Sequence, residues 1–146
     1  MKKLFIILAA VFIVSCNNCK TAQDTEQAKK EILDTEHEFM KMAQEAGLSI
    51  AFSTFADSGA VIRNDKSLIK GIDSIRVFYQ NNTPQSAKLI WNATFVDVAA
   101  SCDLGYTYGT YSYLVKDPMG STIESKGFFH TVWKKQADGK WKFVWD

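Results

Sequence analysis

Glu36 is the residue whose setting asks most directly for chemistry. On a helical wheel it falls among Ile32, Phe39, Met40 and Ala43, inside the apolar stripe of a long helix. A carboxylate in that position is either paired or has its pKa pushed upward. A raised carboxyl can donate or accept a proton near neutral pH, and a paired one orients its partner. The other candidates are mostly rings. Trp91, Phe95, Tyr111, Tyr113, Phe129 and Trp133 fall on long strands in the second half of the chain. They read as an aromatic lining for a planar or apolar ligand, or as a closed core. Parity gives each strand two faces and does not say which is inside.

The remaining titratable residues read more simply. His130 alternates with Thr131, so the two point to opposite faces, and His37 sits on the first helix. Asp57 reads as a turn residue ahead of the first strand. Asp97 shares the predicted face of Trp91 and Phe95 and reads as a turn or interface residue. Asp146 is the last residue, on an end expected to fray. Two histidines on separate elements, with no Cys/His cluster, give no metal site. Gly105-Tyr106-Thr107-Tyr108-Gly109 is a strand rather than a phosphate loop, and no nucleophile elbow is present. No cofactor is implied.

Periodicity supplies the elements that must position these groups. Ala28, Ile32, Phe39, Ala43 and Ala46 mark a helix over 26–46, with Gly47 as its stop. A shorter helix follows over 48–55. A strand over 60–63 turns at 64–66 and is expected to return over 67–70. Gly71 opens a third helix carrying Ile72, Ile75, Phe78 and Tyr79. The period then changes to two. Strands are expected over 88–99, 104–115, 122–135 and 141–146, with loops at Asp117-Pro118-Met119-Gly120 and Asp138-Gly139. In the first of these, Leu89, Trp91, Ala93, Phe95 and Asp97 are expected on one face. Asn92, Thr94, Val96 and Val98 are expected on the other, where they would suit an interface. Three helices and then a meander of long strands is an α+β arrangement. Strands of this length bend, so the fold expected is a cone-shaped curved antiparallel sheet packed on three N-terminal helices, with a cavity inside.

The N-terminal segment carries a different message. Lys2 and Lys3 precede an apolar run from Leu4 to Val14, too short to span a bilayer, and Ser15-Cys16 closes it. This resembles a lipoprotein signal peptide over 1–15 with Cys16 as the lipidated residue, a flexible tether over 16–25, and one domain over 26–146. The chain is then expected in the cell envelope, held on a membrane by its lipid. Losing Lys2 and Lys3 leaves 15 basic against 16 acidic residues, a balance that excludes a nucleic-acid partner. Cys19 lies in the tether and Cys102 in a predicted turn, a placement that reads as two separate thiols rather than a pair.

Four stretches, in order, resemble the nuclear transport factor 2-like superfamily with its SnoaL-like and ketosteroid-isomerase-like members. They are Phe55-Ala56-Asp57 before Ala60-Val61; Lys70-Gly71-Ile72 through Ile75 to Phe78-Tyr79; Leu104 to Gly109; and Thr131 to Lys135 with Asp138 to Lys142. The resemblance covers 27–146, is nearest to uncharacterised bacterial domains, and implies the cone fold of a cystatin-like roll. Carried over by these motifs, the isomerase tyrosine falls near Phe39 or Met40, its aspartate base at Arg63 and its aspartic acid at Thr131. None of those groups is present, so the isomerase mechanism is not implied, and two histidines make a poor match to the dehydratases. The resemblance places Arg63 at the mouth or floor of the cavity, where it would pair with Glu36 for a ligand or for architecture. The site candidates are thus Glu36, Arg63, Trp91, Phe95, Tyr111, Thr131 and Trp133. The functions expected are binding of a small apolar or aromatic molecule, homodimerisation or protein interaction through the outer sheet face, or an enzyme using Glu36 as acid or base.

Overall fold

A computed structural model of the chain describes residues 21–65 and 67–146. The expected signal peptide, the lipidation candidate Cys16 and Cys19 lie outside these residues. Helix α1 runs Ala22–Glu45, α2 Leu48–Phe55, and α3 Ile72–Asn82. The strands are β1 Ala56–Asn64, β2 Ser67–Lys70, β3 Lys88–Val98, β4 Leu104–Lys116, β5 Thr122–Lys135 and β6 Trp141–Trp145.

Helix α1 starts at Ala22, earlier than the expected residue 26. Thr21 and Asp24 form a capping box: the Thr21 hydroxyl accepts from the Asp24 amide at 3.2 Å, and the Asp24 carboxylate accepts from the Thr21 amide at 3.0 Å. Two otherwise orphaned donors are satisfied, which fixes the first turn in residues that had read as tether. The helix buries Ala28, Ile32, Glu36, Phe39 and Ala43 along one stripe, against the concave side of the sheet. Phe39 sits at the centre of a ring cluster, with Phe52, Phe55 and Trp91 all at centroid distances of 4.8–5.0 Å. Cys102, at φ 55° in the turn after β3, is disulfide-bonded, against its reading as a separate thiol.

The strand order is β2-β1-β6-β5-β4-β3. The sheet is mixed rather than wholly antiparallel, because β6 inserts between β5 and β1 and runs parallel to β1. Two single-residue bulges shape it, besides a longer irregularity between Ala56 and Val61 where β1 pairs with β6. One extra residue at Thr94 separates the pairs Ala93–Gly109 and Phe95–Tyr108. Another, at Val144, separates Trp133–Phe143 from Val132–Trp145. Each shifts side-chain parity by one residue beyond it and adds local twist.

The first bulge overturns part of the expected β3 pattern. Beyond Thr94, Phe95 and Asp97 turn outward, while Val96 and Val98 pack on the core. Val96 and Val98 are therefore not on the outer face. That face instead carries Phe95, Tyr106 and Tyr108, with His130 and Phe128 beside them.

The bulge depends on a close backbone approach. A Cβ placed on Gly109 would lie 1.9 Å from the Asn92 carbonyl oxygen, whereas one on Gly59 would make only an ordinary 3.6 Å contact. Gly109→Ala must push β3 off β4. It is expected to lower unfolding stability by about 3 kcal/mol in urea titrations, with Gly59→Ala changing it by under about 1 kcal/mol.

Candidate functional site

Glu36 is 4% exposed and is held by three strands at once. Trp91 of β3 donates its indole N–H to Oε2 at 2.8 Å. Thr107 of β4 donates to Oε1 at 2.5 Å, and Trp133 of β5 donates its Nε1–H to the same oxygen at 3.1 Å. No cation pairs with it among the described residues. Burial raises its pKa, opposed by hydrogen bonds from Thr107, Trp91 and Trp133 and by the charge of His37. The expected Glu36–Arg63 pair is not formed. Arg63 is exposed on the far strand β1, and Glu36 spends its oxygens on neutral donors inside the core.

Beside this network lies a cavity of about 550 Å³. Its walls include Phe39, Phe52, Leu89, Trp91, Tyr111 and Phe129, and its polar groups are Arg63, Tyr79, His130, Thr131 and Asp146. The cavity opens where β6 ends. Strand β5 pairs with β6 only from Val132 onward, so its first half runs on past the end of its neighbour. Residues of outward parity (Arg63, Phe128, His130 and Trp145) therefore line the cavity together with inward ones. Tyr111 reaches it by lying over Gly127, its partner on β5. A Cβ at Gly127 would come within 2.7 Å of the Tyr111 ring.

Of the sequence candidates, Arg63, Trp91, Tyr111 and Thr131 are brought together on this cavity. Glu36 is not on its lining but touches it through the Trp91 indole. Trp133 is 0% exposed and belongs to the core. Phe95 is on the opposite side of the sheet, stacked on Tyr108 at 4.8 Å, because the Thr94 bulge turned it out. Thr131 and His130 face opposite ways, and His37 is exposed on α1. Asp57 accepts from the Gly59 amide at 2.9 Å and closes a local turn. Asp97 forms an ion pair with Lys29 at 3.4 Å.

Asp146 is the site residue that sequence reasoning passed over. Its end of the chain is tied into the sheet rather than free. The Asp146 amide donates to Val61 at 3.0 Å, and the Arg63 amide donates to the Asp146 main-chain oxygen at 2.9 Å. The Val144 bulge flips parity so that Asp146 comes opposite Thr131, whose hydroxyl donates to Oδ2 at 2.7 Å. Burial pushes the Asp146 carboxyl up to about 7, helped by the nearby Glu36 charge and resisted by the Thr131 hydrogen bond. Tyr79 of α3, assigned to the core from its helical spacing, also reaches the cavity. Burial and the Asp146 charge raise its pKa well above the ordinary phenol value.

The architecture is shared with solved structures. A nuclear transport factor 2 (NTF2-like) superfamily protein from Salmonella enterica serovar Typhimurium matches at TM-score 0.68 and 14% identity, over 82% of this chain and 88% of that one. A ketosteroid isomerase-like protein from Erwinia carotovora atroseptica matches at TM-score 0.69 and 13% identity, over 82% and 92%. The CaMKII hub of S. rosetta matches at TM-score 0.64 and 22% identity, over 80% and 92%. The chain thus has the nuclear transport factor 2-like fold, as its ordered motifs implied. No family model and no curated protein matches it.

The raised carboxyl has a measurable consequence. From an ordinary value of 3.8 to a folded value of about 7, the folded chain holds a proton at Asp146 that the unfolded chain has released. Stability must then fall as pH rises through that window and level off above it. Denaturant unfolding of wild type between about pH 4 and pH 7 should lose on the order of 1–3 kcal/mol more than Asp146→Asn does. The variant keeps a smaller slope of the same sign from Glu36.

Proposed function

We propose that the chain is a cell-envelope lipoprotein, lipidated at Cys16, whose domain binds a small apolar or aromatic molecule in the cone cavity. The observation that carries this reading is the cavity itself: about 550 Å³, walled by rings and aliphatic side chains, with a few convergent polar groups at one end. That combination suits a ligand of modest size, with the apolar wall supplying affinity and the polar end fixing orientation. Arg63 at the mouth and Thr131 and Asp146 deeper in are the orienting groups. The lipidation reading rests on the apolar run and the Ser15-Cys16 junction, and it would place the cavity at a membrane surface.

A second reading is favoured by the outer sheet face. Phe95 and Tyr108 are stacked, Tyr106 lies 5.8 Å from both Phe95 and His130, and Phe128 is 87% exposed. Rings in one exposed patch on a sheet are the usual material of an interface. We assign this patch to homodimerisation, through ring residues rather than the β3 valines. An association role is also named for one structural neighbour, a CaMKII association domain from C. elegans.

Native mass spectrometry of the full chain purified from its own cells tests these readings together. The expected spectrum shows acyl mass on the chain, a dimer, and a reproducible small co-purifying mass. Leu89→Trp, which fills the cavity wall, should lose the small mass and keep the dimer. Tyr108→Glu should give monomer and keep the small mass. A wild-type chain without any bound mass, with binding of aromatic probes unaffected by Leu89→Trp, would overturn the pocket reading.

A further inference from the structure

We infer that the occupant of the cavity carries a protonated or quaternary amine, held by the Asp146 carboxylate among the rings of Trp91, Tyr111 and Phe129. The inference rests on the pocket reading above and names the ligand class it takes.

The argument starts from the charges inside the domain. Two carboxyl groups are enclosed near one another, Glu36 and Asp146, and neither has a cationic partner among the described residues. Glu36 is satisfied: its two oxygens take three neutral donors and it is shut off from the cavity. Asp146 is different. Thr131 occupies Oδ2 alone, and the carboxyl lies on the cavity wall. Glu31 on α1, bonded at the other end of β6, shows what a completed site looks like in this protein. There, Lys135 pairs with the carboxylate at 2.7 Å and Trp141 donates at 3.0 Å, and the pKa stays low against the cost of burial. Asp146 has the neutral donor and lacks the cation.

The groups facing Asp146 from each packed element leave that place open. Strand β1 offers Arg63, whose amide is bound to the Asp146 main chain but whose guanidinium makes no ion pair with the side chain. Strand β5 offers His130 and Thr131, α3 offers Tyr79, and α1 offers Glu36, which repels further negative charge. A cationic ligand would meet an unpaired carboxylate at one end of the cavity. It would also meet ring systems whose faces attract cations, an attraction that strengthens with desolvation. An anionic ligand would meet the Asp146 carboxyl, with the Glu36 charge behind the cavity wall, and would have the exposed Arg63 as its counter-charge.

Binding of a cation then requires Asp146 to be ionised, so the proton held there must leave. A quaternary ammonium has no titration of its own and isolates this effect. With Asp146 titrating at about 7, its affinity should rise as pH rises and level off above neutrality.

The test compares benzyltrimethylammonium with its neutral carbon isostere neopentylbenzene on the full chain. Binding is read from tryptophan fluorescence, since Trp91 and Trp145 line the cavity. The expected result is tighter binding of the cation, with a gain of about thirtyfold between roughly pH 5.5 and 8.5, and no pH trend for the isostere. Asp146→Asn should abolish the trend and the preference while binding of neopentylbenzene persists. If that variant fails to fold, the wild-type pH profiles of the two probes still decide. Equal or weaker binding of the cation, with the neutral probe bound, overturns the amine inference and leaves the pocket reading standing. Binding of neither probe overturns both.

Discussion

The rest of the domain is arranged around one buried carboxylate. Glu36 sits in the apolar stripe of α1, and three strands each send a donor to it. An unpaired carboxylate in such a place would cost several kcal/mol. Here the hydrogen-bond demand is met by Trp91, Thr107 and Trp133, no two of them from the same strand. The helix therefore cannot slide or rotate on the sheet without stranding an acceptor and three donors, and that locks the register of layer on layer. The stripe around it supplies the hydrophobic contact, and Gly105 lets the layers close: a Cβ there would meet Ile32 at 2.5 Å.

The Glu36 network also sets one wall of the cavity. Trp91 has its indole N–H in the network and its ring on the lining, so the orientation of a lining ring is fixed by a group the ligand never touches. Glu31 repeats the device five residues earlier on the helix, with Trp141 and Lys135, and pins the strands further along. Three of the four tryptophans thus anchor strands to carboxylates of α1. The fourth, Trp145, is on the cavity lining.

Two single-residue bulges divide the work of the two sheet faces. At Thr94 the bulge sends Phe95 outward to stack on Tyr108, building the exposed ring patch, and brings Val96 and Val98 into the core. At Val144 it turns Asp146 inward against Thr131. Without the first the outer face would lose a ring, and without the second the cavity would lose its carboxyl. The mixed topology completes the site, since the parallel β1–β6 pairing holds both sides of Asp146 through main-chain hydrogen bonds.

The sequence by itself determined the element order, the apolar stripe and the presence of Glu36 within it. Those properties are local: helical and strand periods, turn residues and caps act within a few residues of each other. It also contained signs that went unread. Phe95-Val96 and Val144-Trp145 are adjacent apolar pairs that break a period of two, and each marks the phase change of a bulge. What partners Glu36 was decided only by the tertiary structure. A helical wheel shows that a carboxylate is buried but not which of many donors will be opposite, and Trp91, Thr107 and Trp133 lie 55, 71 and 97 residues away. The same holds for Asp146. At the end of a chain it looks free to fray, and only insertion of β6 between β1 and β5 supplies the hydrogen bonds that hold it in the cavity.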